Sequence, residues 1–298
     1  MPPRLTLYDQ VAQDAADVVV RGYSTSFGLA TRLLAPDCRT HIRNVYALVR
    51  LADEVVDGAA DEAGGTDAGA LLTALEAETA AGLASGYSTN LLVHAFARTT
   101  RLAGFREELT TPFFASMRTD LERTEHDAAS LREYVYGSAE VVGLMCLRVF
   151  LLDVAPDRRA AEYERLGPGA QALGAAFQKI NFLRDLADDS DRLGRSYFAG
   201  VDPQHLTEAQ KAEILADIEA DLRTASAAPR ELPPSCRRAV ALASGLFAEL
   251  TRRLAATPAE EITRRRVRVP GPAKARVAVL AIGGRGLAAG RRTPAVGW

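Results

Sequence analysis

The amino-acid sequence predicts an all-α protein. Three observations predict this class: apolar residues recur at helical spacing, the recurring stretches are rich in good helix formers, and sustained apolar alternation is nearly absent. Hydrophobic residues make up 48% of the 298-residue chain and charged residues 25%, which is ordinary for a globular protein with a sizeable core. No repeat of fixed period is visible. We therefore expect one domain over residues 1–298, with its core at about 15–280.

Eight stretches carry the helical pattern, with apolar residues at i, i+3 or i+4, and i+7. In chain order they are residues 7–23, 40–58, 69–84, 91–104, 131–152, 167–189, 208–225 and 235–256. Segments rich in turn-forming residues separate several of them, after Asp57 and near residues 88, 167 and 230. The Pro-rich segment near residue 230 is followed by further helical pattern, so we interpret it as a loop inside the same domain.

Charge and cysteine usage exclude several classes of protein. A formal net charge of −2 favours neither a nucleic-acid partner nor an acidic solvating tail. The four histidines and three cysteines show no metal-ligand spacing, so we expect reduced thiols in a cytoplasmic protein. The N-terminus does not resemble a signal peptide, and no run of apolar residues reaches the length of a membrane span. We expect a soluble protein, with peripheral attachment to the inner face of the plasma membrane as the alternative.

Two pairs of aspartates share one spacing. Asp53 and Asp57 are four residues apart, as are Asp185 and Asp189, which places each pair on one helix face with Cβ atoms roughly 6 Å apart. Both pairs lie among apolar residues that should belong to the core. If the two helices pack side by side, four carboxylates converge and each close pair repels by several kcal/mol at an effective dielectric near 20. All-oxygen ligation of this kind suits Mg²⁺ or, alternatively, Mn²⁺.

Arginines accompany both aspartate pairs. Arg50 precedes Asp53 by three residues, Arg184 precedes Asp185 directly, and Arg195 follows in the same stretch. A guanidinium binds phosphate oxygens in a bidentate manner, so acids, a divalent cation and arginine together would hold a diphosphate. An internal lattice of salt bridges between helices is the other interpretation. Spacing alone favours neither.

Motifs around both pairs resemble those of a known family. RNVYALVRLADEVVDG resembles the Y-A-x-x-R-x-x-D-[DE]-x-x-D signature of the squalene/phytoene synthase family, and GAAFQKINFLRDLADDSDRLGRSYF resembles its second signature, G-x-x-x-Q-x-x-N-x-x-R-D-x-x-x-D…GR-x-Y. Four further segments resemble the family in the same order, from about residue 20 to 280. They are GYSTSFGLATRLL, SMRTDL, YVYGSAEVVGLM and RRRVRVPGPAKARVAV.

This resemblance implies an isoprenoid-synthase fold, in which helices surround a central apolar cavity. It also implies a prenyltransferase that joins two allylic prenyl diphosphates head to head, with Mg²⁺ bridging the protein and the diphosphates. The metal ligands it implies are Asp53, Asp57, Asn181, Asp185 and Asp189. Arg50, Tyr46, Gln178 and Arg184 would contact the diphosphates or order the acids.

The resemblance also assigns residues around the substrate. Ser24 and Phe27 would form part of the substrate-binding segment at the cavity mouth, and Tyr134 would line the cavity. Tyr197 and Arg266 match positions that close over the diphosphate, and Arg195 is the arginine of the GR-x-Y element. One departure stands out, because Glu140 occupies a position where the family often has glycine.

The sequence is compatible with three functions. We favour phytoene formation from two geranylgeranyl diphosphates, without NADPH, because GGRGLAAG at residues 283–290 lacks the spacing of a dinucleotide fingerprint. A C30 synthase that uses two farnesyl diphosphates and forms dehydrosqualene, squalene or presqualene diphosphate is the nearest alternative. A non-catalytic assembly factor is the second alternative, but such a protein should have lost at least one of the four aspartates.

Overall fold

A computed structural model describes residues 4–193 and 195–283, without the side chains of residues 25, 26, 61, 188–193 and 228. Regular structure in these ranges is entirely helical, apart from one isolated bridge between Glu125 and Ser196. This confirms the predicted all-α class. The α-helices are α1 (Arg4–Tyr23), α2 (Thr25–Thr31), α3 (Pro36–Val56), α4 (Ala59–Glu62), α5 (Ala68–Ser85), α6 (Leu91–Ala103), α7 (Glu107–Glu122), α8 (Ala128–Val135), α9 (Val141–Phe150), α10 (Arg159–Leu193), α11 (Glu208–Ala225), α12 (Ala228–Glu231), α13 (Pro234–Ala256), α14 (Ala259–Ile262) and α15 (Gly271–Ile282).

Every stretch with a helical sequence pattern forms a helix, and the eight predictions correspond to α1, α3, α5, α6, α8 with α9, α10, α11 and α13. The local signals agree with the boundaries. Helix α3 begins with a proline at its first position, and α5 and α6 begin after the capping side chains of Asp67 and Asn90. The sequence patterns did not predict α2, α7 and α15. Helix α7 carries Pro112 in its interior, a residue that usually interrupts a helix.

The predicted break near residue 167 is wrong, because α10 runs without interruption through Gly167 and Pro168. An interior proline removes one backbone hydrogen bond and costs about 3 kcal/mol. Burial on both sides of the proline offsets this cost. Leu166 and Ala176 are almost fully buried, in the first half of the helix and near its middle. Helix propensity is therefore overridden here by tertiary contacts.

Residues 128–153 form a nearly continuous helical rod at the centre of the molecule. It consists of α8, one π-helical turn (Tyr136–Glu140), α9 and a short 3₁₀ turn. An 18-residue window of the rod has a mean hydropathy of 1.7, so the rod is long and apolar enough to cross a membrane by length and composition, although charged residues interrupt its apolar run. Just over half of the apolar window, 56%, is buried inside the protein, as in the core helix of a globular fold.

This rod lies unusually close to α10. A Cβ atom on Gly143 would lie 2.6 Å from the carbonyl oxygen of Ala170, and one on Gly174 would lie 2.5 Å from that of Ala139. Glycine at both positions permits the two helices to approach backbone to backbone. The close approach fixes the π-helical turn, and the adjacent carboxyl end of α8, against the middle of α10.

Two large apolar clusters fill the interior. One joins α8, α10, α11 and α13 around Ile180 and Phe182, and the other joins α3, α5, α6, α7 and α9 around Phe96 and Phe113. The second cluster reaches Val56 and Met117 near the carboxyl ends of α3 and α7. The polar side chains that follow these ends face the first cluster, and they form the candidate site.

Gly174→Ala should destabilise the protein by about 1–3 kcal/mol, although alanine is the better helix former. The reason is the backbone carbonyl that a methyl group at this position would meet, because a carbonyl cannot rotate away as a side chain can. Urea unfolding followed by circular dichroism measures the change. Gly22→Ala in α1 is the control, since a Cβ there has nothing within 4 Å and should leave stability unchanged or raise it by up to about 1 kcal/mol. Equal effects of the two substitutions would contradict the close approach.

Candidate active site

Asp53 and Asp57 lie at the carboxyl end of α3. Asp57 caps the helix, and its N–H donates to the carbonyl of Asp53 at 2.8 Å. Ala52 and Val56 are buried in the core, so the carboxylates stand at the core boundary. Burial, and secondarily the charge of Asp57, raises the pKa of Asp53 to about 7. A cation that bound here would favour the charged carboxylate and oppose this shift.

Arg195 connects this aspartate pair to a third carboxylate, Asp120 at the end of α7. The Arg195 guanidinium forms an ion pair with Asp57 and lies 3.4 Å from a carboxylate oxygen of Asp120. It also donates to the backbone carbonyl of Asp120 at 2.7 Å. Only 7% of the Arg195 side chain and 2% of the Asp120 side chain are exposed. Burial opposes the arginine charge, but Asp120 and Asp57 outweigh that effect and raise the Arg195 pKa above its usual range.

Asp120 is a site residue that the sequence interpretation missed. Burial raises its pKa to about 8, even though the Arg195 charge acts in the opposite direction. Its other carboxylate oxygen accepts a hydrogen bond from the Tyr134 hydroxyl at 2.9 Å. The available signal was the SMRTDL segment, which resembles the family motif but lies far in sequence from both aspartate pairs.

An extended segment after α10 brings Arg195 to this place. Ser196 donates its N–H to the Thr124 carbonyl at 2.7 Å and forms the isolated bridge with Glu125, just after α7. Arg195 is thereby set beside Asp120, and Tyr197 beside the start of α8. Arg195 and Ser196 therefore connect the carboxyl ends of α3 and α7, and we refer to these two residues with Thr124 as the clasp.

Aromatic rings form a wall next to the three carboxylates. The Tyr197 ring stacks on Phe182 with centroids 3.9 Å apart and lies 5.6 Å from the Tyr134 ring. The His126 ring also stacks with Tyr197, with centroids 6.0 Å apart, and burial, then the charge of Arg123, lowers the pKa of His126. Tyr134 and Tyr197 are both almost fully buried. The rings therefore form a surface with little access for water, which is apolar except at the hydroxyl groups of the two tyrosines.

Asp185 on α10 carries the second acidic centre. The Arg184 guanidinium binds both oxygens of its carboxylate, with one N–O distance of 2.8 Å, and Arg266 approaches at 2.8 Å from the segment before α15. Two residues that sequence places 81 positions apart, Asp185 and Arg266, are thus in direct contact. The structure brings together the acid of the second signature and the arginine of the C-terminal element.

Gln178, Asn181 and Asp185 follow one another at helical spacing on α10. The side-chain oxygen of Asn181 is buried and has no hydrogen-bond partner among the described residues. A buried, unpaired amide oxygen one turn from a carboxylate fits a cation ligand. The side chain of Asp189, the fourth aspartate among the five predicted metal ligands, lies outside the described part of the structure, as do residues 284–290 of the glycine-rich segment.

The N-terminal segment that the resemblance assigns to substrate binding packs against α3, the helix of the first aspartate pair. Ser24 caps α2, accepting from the Phe27 N–H at 3.1 Å, and the Phe27 ring stacks on Tyr46 at 4.5 Å. Burial raises the pKa of Tyr46. Arg50, one turn further along α3, forms an ion pair with Glu54 and lies 4.3 Å above the Tyr23 ring. The structure thus joins the predicted residues of α2 and α3 into one group.

Glu140 closes the π-helical turn and points toward α10. Its carboxylate accepts a hydrogen bond from Gln171 at 3.2 Å, and burial raises its pKa. The carboxylate is only partly buried, so the side chain that replaces the family's glycine is accommodated without an unpaired buried charge.

The described residues contain no group of three or more His, Cys, Asp or Glu side chains placed to hold a metal ion. The donor chemistry nevertheless fits a hard cation, because Asp53, Asp57, Asn181 and Asp185 offer only oxygen ligands. Asp57 and Asp185 are at present bound by arginines. A metal ion would therefore have to compete with, or be accompanied by, a ligand that draws those arginines away.

Comparison with known proteins decides the family. The model of the squalene/phytoene synthase family matches residues 20–273. The chain belongs to this family. It is 29% identical over 296 residues to the 15-cis-phytoene synthase of Paracoccus sp. (strain N81106 / MBIC 01143), covering 93% of this chain and 92% of that protein. It is 34% identical over 183 residues to the maize phytoene synthase 3, chloroplastic, covering 60% of this chain but only 40% of the maize protein.

Solved structures of the family share the fold. A dehydrosqualene synthase in complex with ligand superposes with a TM-score of 0.75 at 20% identity, covering 93% of this chain and 97% of that one. A squalene synthase from Alicyclobacillus acidocaldarius gives 0.65 at 20% identity, covering 85% and 97%. These likenesses confirm the predicted fold of the squalene/phytoene synthase family.

Asp120→Asn should change how stability depends on pH. Because the folded-state pKa of about 8 exceeds the ordinary 3.8, the folded wild type retains a proton that the unfolded chain has lost, and its stability falls as pH rises through this window. The variant lacks this titration. Its free energy of unfolding relative to wild type should therefore rise by up to about 1.4 kcal/mol per pH unit between about pH 4 and 8.

Urea unfolding at several pH values measures the difference, and the exposed Asp157→Asn serves as the control for loss of a carboxylate. Parallel pH profiles for Asp120→Asn and wild type would show that Asp120 titrates normally.

Proposed function

We propose that this protein is a Mg²⁺-dependent phytoene synthase that joins two geranylgeranyl diphosphates head to head through a cyclopropyl (prephytoene) diphosphate. The observation that carries the proposal is the pairing of acids with arginines, Asp57 with Arg195 and Asp185 with Arg184 and Arg266. A diphosphate competes for guanidinium groups, and its binding would release these carboxylates for a cation. One site would thus bind both the cation and the anion of a metal–diphosphate complex.

The relatives support this choice of product. Phytoene synthases from Paracoccus and from Pseudescherichia vulneris align with 93% and 80% of this chain, at 29% and 26% identity. Identity at this level supports the kind of reaction more strongly than the substrate length. We therefore propose the C20 length of the substrate as a separate step from the kind of reaction.

The reaction would proceed in two ionisations. The C1–O bond of one substrate breaks, its diphosphate leaves, and the C2=C3 bond of the other attacks the allylic cation with loss of a proton, which closes the cyclopropane. The second diphosphate then leaves, the ring rearranges to the 1–1′ linkage, and a further proton is lost to give phytoene. The products are one phytoene, two diphosphates and two protons, so no NADPH is required.

Two groups of residues at the site would bind the diphosphates and the metal ion, respectively. Arg50, Arg184, Arg195 and Arg266 would bind the diphosphates, with Tyr46 and Gln178 beside them. Asp53, Asp57, Asn181, Asp185 and Asp189 would hold Mg²⁺, or alternatively Mn²⁺, which when bound would neutralise charge on the departing diphosphate.

The aromatic wall suits the cations that follow. Tyr134, Tyr197 and Phe182 pack on one another, so the region that they border is apolar and has little access for water. Excluding water matters because a carbocation would otherwise be captured as an alcohol. Ser24 and Phe27 would border the entrance for the prenyl chain.

The two alternative functions that the sequence analysis left open are a C30 synthase and an assembly factor. A C30 synthase acting on farnesyl diphosphate would use the same charged groups, and squalene formation would add hydride from NADPH. An assembly factor should have lost at least one of the four aspartates, and Asp53, Asp57, Asp185 and Asp189 are all present. We further propose a cytoplasmic protein that attaches peripherally to the inner face of the plasma membrane, since its substrate tails and product are lipophilic.

Purified protein incubated with geranylgeranyl diphosphate and Mg²⁺ should form phytoene, identified by mass spectrometry. Farnesyl diphosphate, with and without NADPH, forms the parallel arm. We expect preferential turnover of the C20 substrate and no effect of NADPH, because the proposed final step is a proton loss. Exclusive turnover of the C15 substrate would refute the phytoene assignment while leaving a head-to-head synthase in place.

Asp53→Asn and Asp185→Asn should each abolish turnover while the protein stays folded. Both substitutions preserve side-chain shape and remove the charge that a divalent cation needs, and chelation of divalent metal by EDTA should have the same effect on the wild type. Asp37→Asn, an exposed position on the same helix as Asp53, is the matched control and should retain activity. Product formation at the wild-type rate by either site variant would remove that residue from the metal site.

A further inference from the structure

Five arginine side chains line a surface groove on α13, next to the segment that carries Arg266 of the candidate site. They are Arg252, Arg253, Arg265, Arg268 and Arg276, and we refer to this set as the arginine groove. Arg252 and Arg253 lie on α13, Arg276 on α15, and the others on the segment between α14 and α15. The groove thus lies where three pieces of the chain meet.

The arginine groove has an excess of positive charge. Its one buried acid, Glu249, forms ion pairs with Arg252 at 2.8 Å, Arg253 at 2.9 Å and Arg276 at 3.4 Å. Arg268 has no ion pair or hydrogen bond within residues 4–193 and 195–283. Between residues 249 and 276 the sequence has eight Arg or Lys and three Glu, in a chain whose net charge is −2. Arg265 is paired separately with Glu261, so two carboxylates serve five arginines and cannot neutralise the cluster.

An exposed apolar face of α15 borders the groove. Val279 and Ile282 are 69% and 49% exposed, and Ala275 is exposed one turn earlier. These three residues, the apolar stripe, follow i, i+4, i+7 spacing and so share one side of the helix. The opposite side is already used, because Val277 packs on α13. Arg276 lies three residues before Val279, which places positive charge at the edge of the stripe.

We propose that the arginine groove and the apolar stripe together dock this protein on an anionic lipid bilayer. Phosphate groups of lipids complement the arginines, and the stripe can enter the boundary between headgroups and acyl chains. A free phosphate would satisfy the arginines but would make no use of Val279 and Ile282. The following segment, residues 284–298, has three arginines and no acid, so it does not complement the charge of the groove.

The location of this surface suits a lipophilic substrate. Helix α2, which carries Ser24 and Phe27, packs on α13 through Ala30, in the same apolar cluster that holds Val277 of α15. A bilayer bound at α15 would therefore lie beside the proposed entrance for the prenyl chain. This step rests on the proposed reaction, whereas binding of the arginine groove and the apolar stripe to a bilayer does not.

The test is sedimentation of the full-length protein with vesicles, without substrate. Vesicles of phosphatidylcholine with about 30% phosphatidylglycerol should bind the wild type, and pure phosphatidylcholine vesicles should bind it much less. Binding should weaken strongly in 1 M salt, where the Debye length falls to about 3 Å. Equal binding to both vesicles, or to neither, would overturn the proposal.

Variants locate the surface. Each lost arginine contact is worth about 1 kcal/mol near an anionic surface, so R268A with R276A should weaken partitioning about 25-fold. Val279→Asp should also weaken it, because the stripe could no longer enter the interface. The matched controls are Arg223→Ala on α11, where the arginine is 65% exposed like Arg276 and also ion-paired, and Val18→Asp on α1, where the valine is 63% exposed.

Circular dichroism verifies that each variant is folded. Losses in the controls as large as in the groove and stripe variants would overturn the assignment to this surface. Competition of vesicle binding by millimolar inorganic diphosphate would overturn it too, because the groove would then take a free anion. Product formation from detergent-dispersed substrate is measured separately and should be unchanged in the groove variants, so failure of docking and failure of the proposed reaction are distinguishable.

Discussion

The geometry of the candidate site depends on the buried cation of Arg195. It is almost fully buried and is shared between Asp57 at the end of α3 and Asp120 at the end of α7. Taking such charges out of water costs several kcal/mol per ion, and their mutual attraction repays this only when the geometry is good and further hydrogen bonds are made. The backbone carbonyls of Val56 and Asp120 supply those bonds. Without Arg195, two carboxylates would be left close together in a poorly solvated place.

The position of Arg195 also connects the two large apolar clusters of the core. Within the clasp, the hydrogen bond between Ser196 and Thr124 holds Arg195 in position, and the next residue, Tyr197, stacks on Phe182 of α10. An unbroken series of contacts therefore runs from the carboxylates at the end of α3 to α10, the helix that carries Asp185. Close contact between α9 and α10 at Gly143 and Gly174 then fixes Tyr134 against Asp120. Backbone contacts between helices therefore set distances among groups at the site.

The sequence predicted helices well, because apolar spacing records directly which face of each helix is buried. It failed near Pro168, where local propensity favours a break and burial of distant residues decides otherwise. Motif resemblance identified Arg195, but spacing could not show that its partners would be Asp57 and Asp120, which are 138 and 75 residues away. Asp120 belongs to the SMRTDL segment, but the resemblance of that segment to the family did not show which residues Asp120 would contact. Its role arises only from the three elements that converge on it.

The balance of charge explains why this arrangement suits an anionic ligand. In the structure, arginines occupy the carboxylates of Asp57 and Asp185, while Asp53 and Asp120 have raised pKa values and so hold protons more readily. Negative charge is thereby limited before any ligand binds. A diphosphate would draw the arginines toward itself, and a divalent cation would favour ionised carboxylates. Each partner improves the site for the other, so the two charges should bind cooperatively, which neither a purely acidic nor a purely basic cleft would provide.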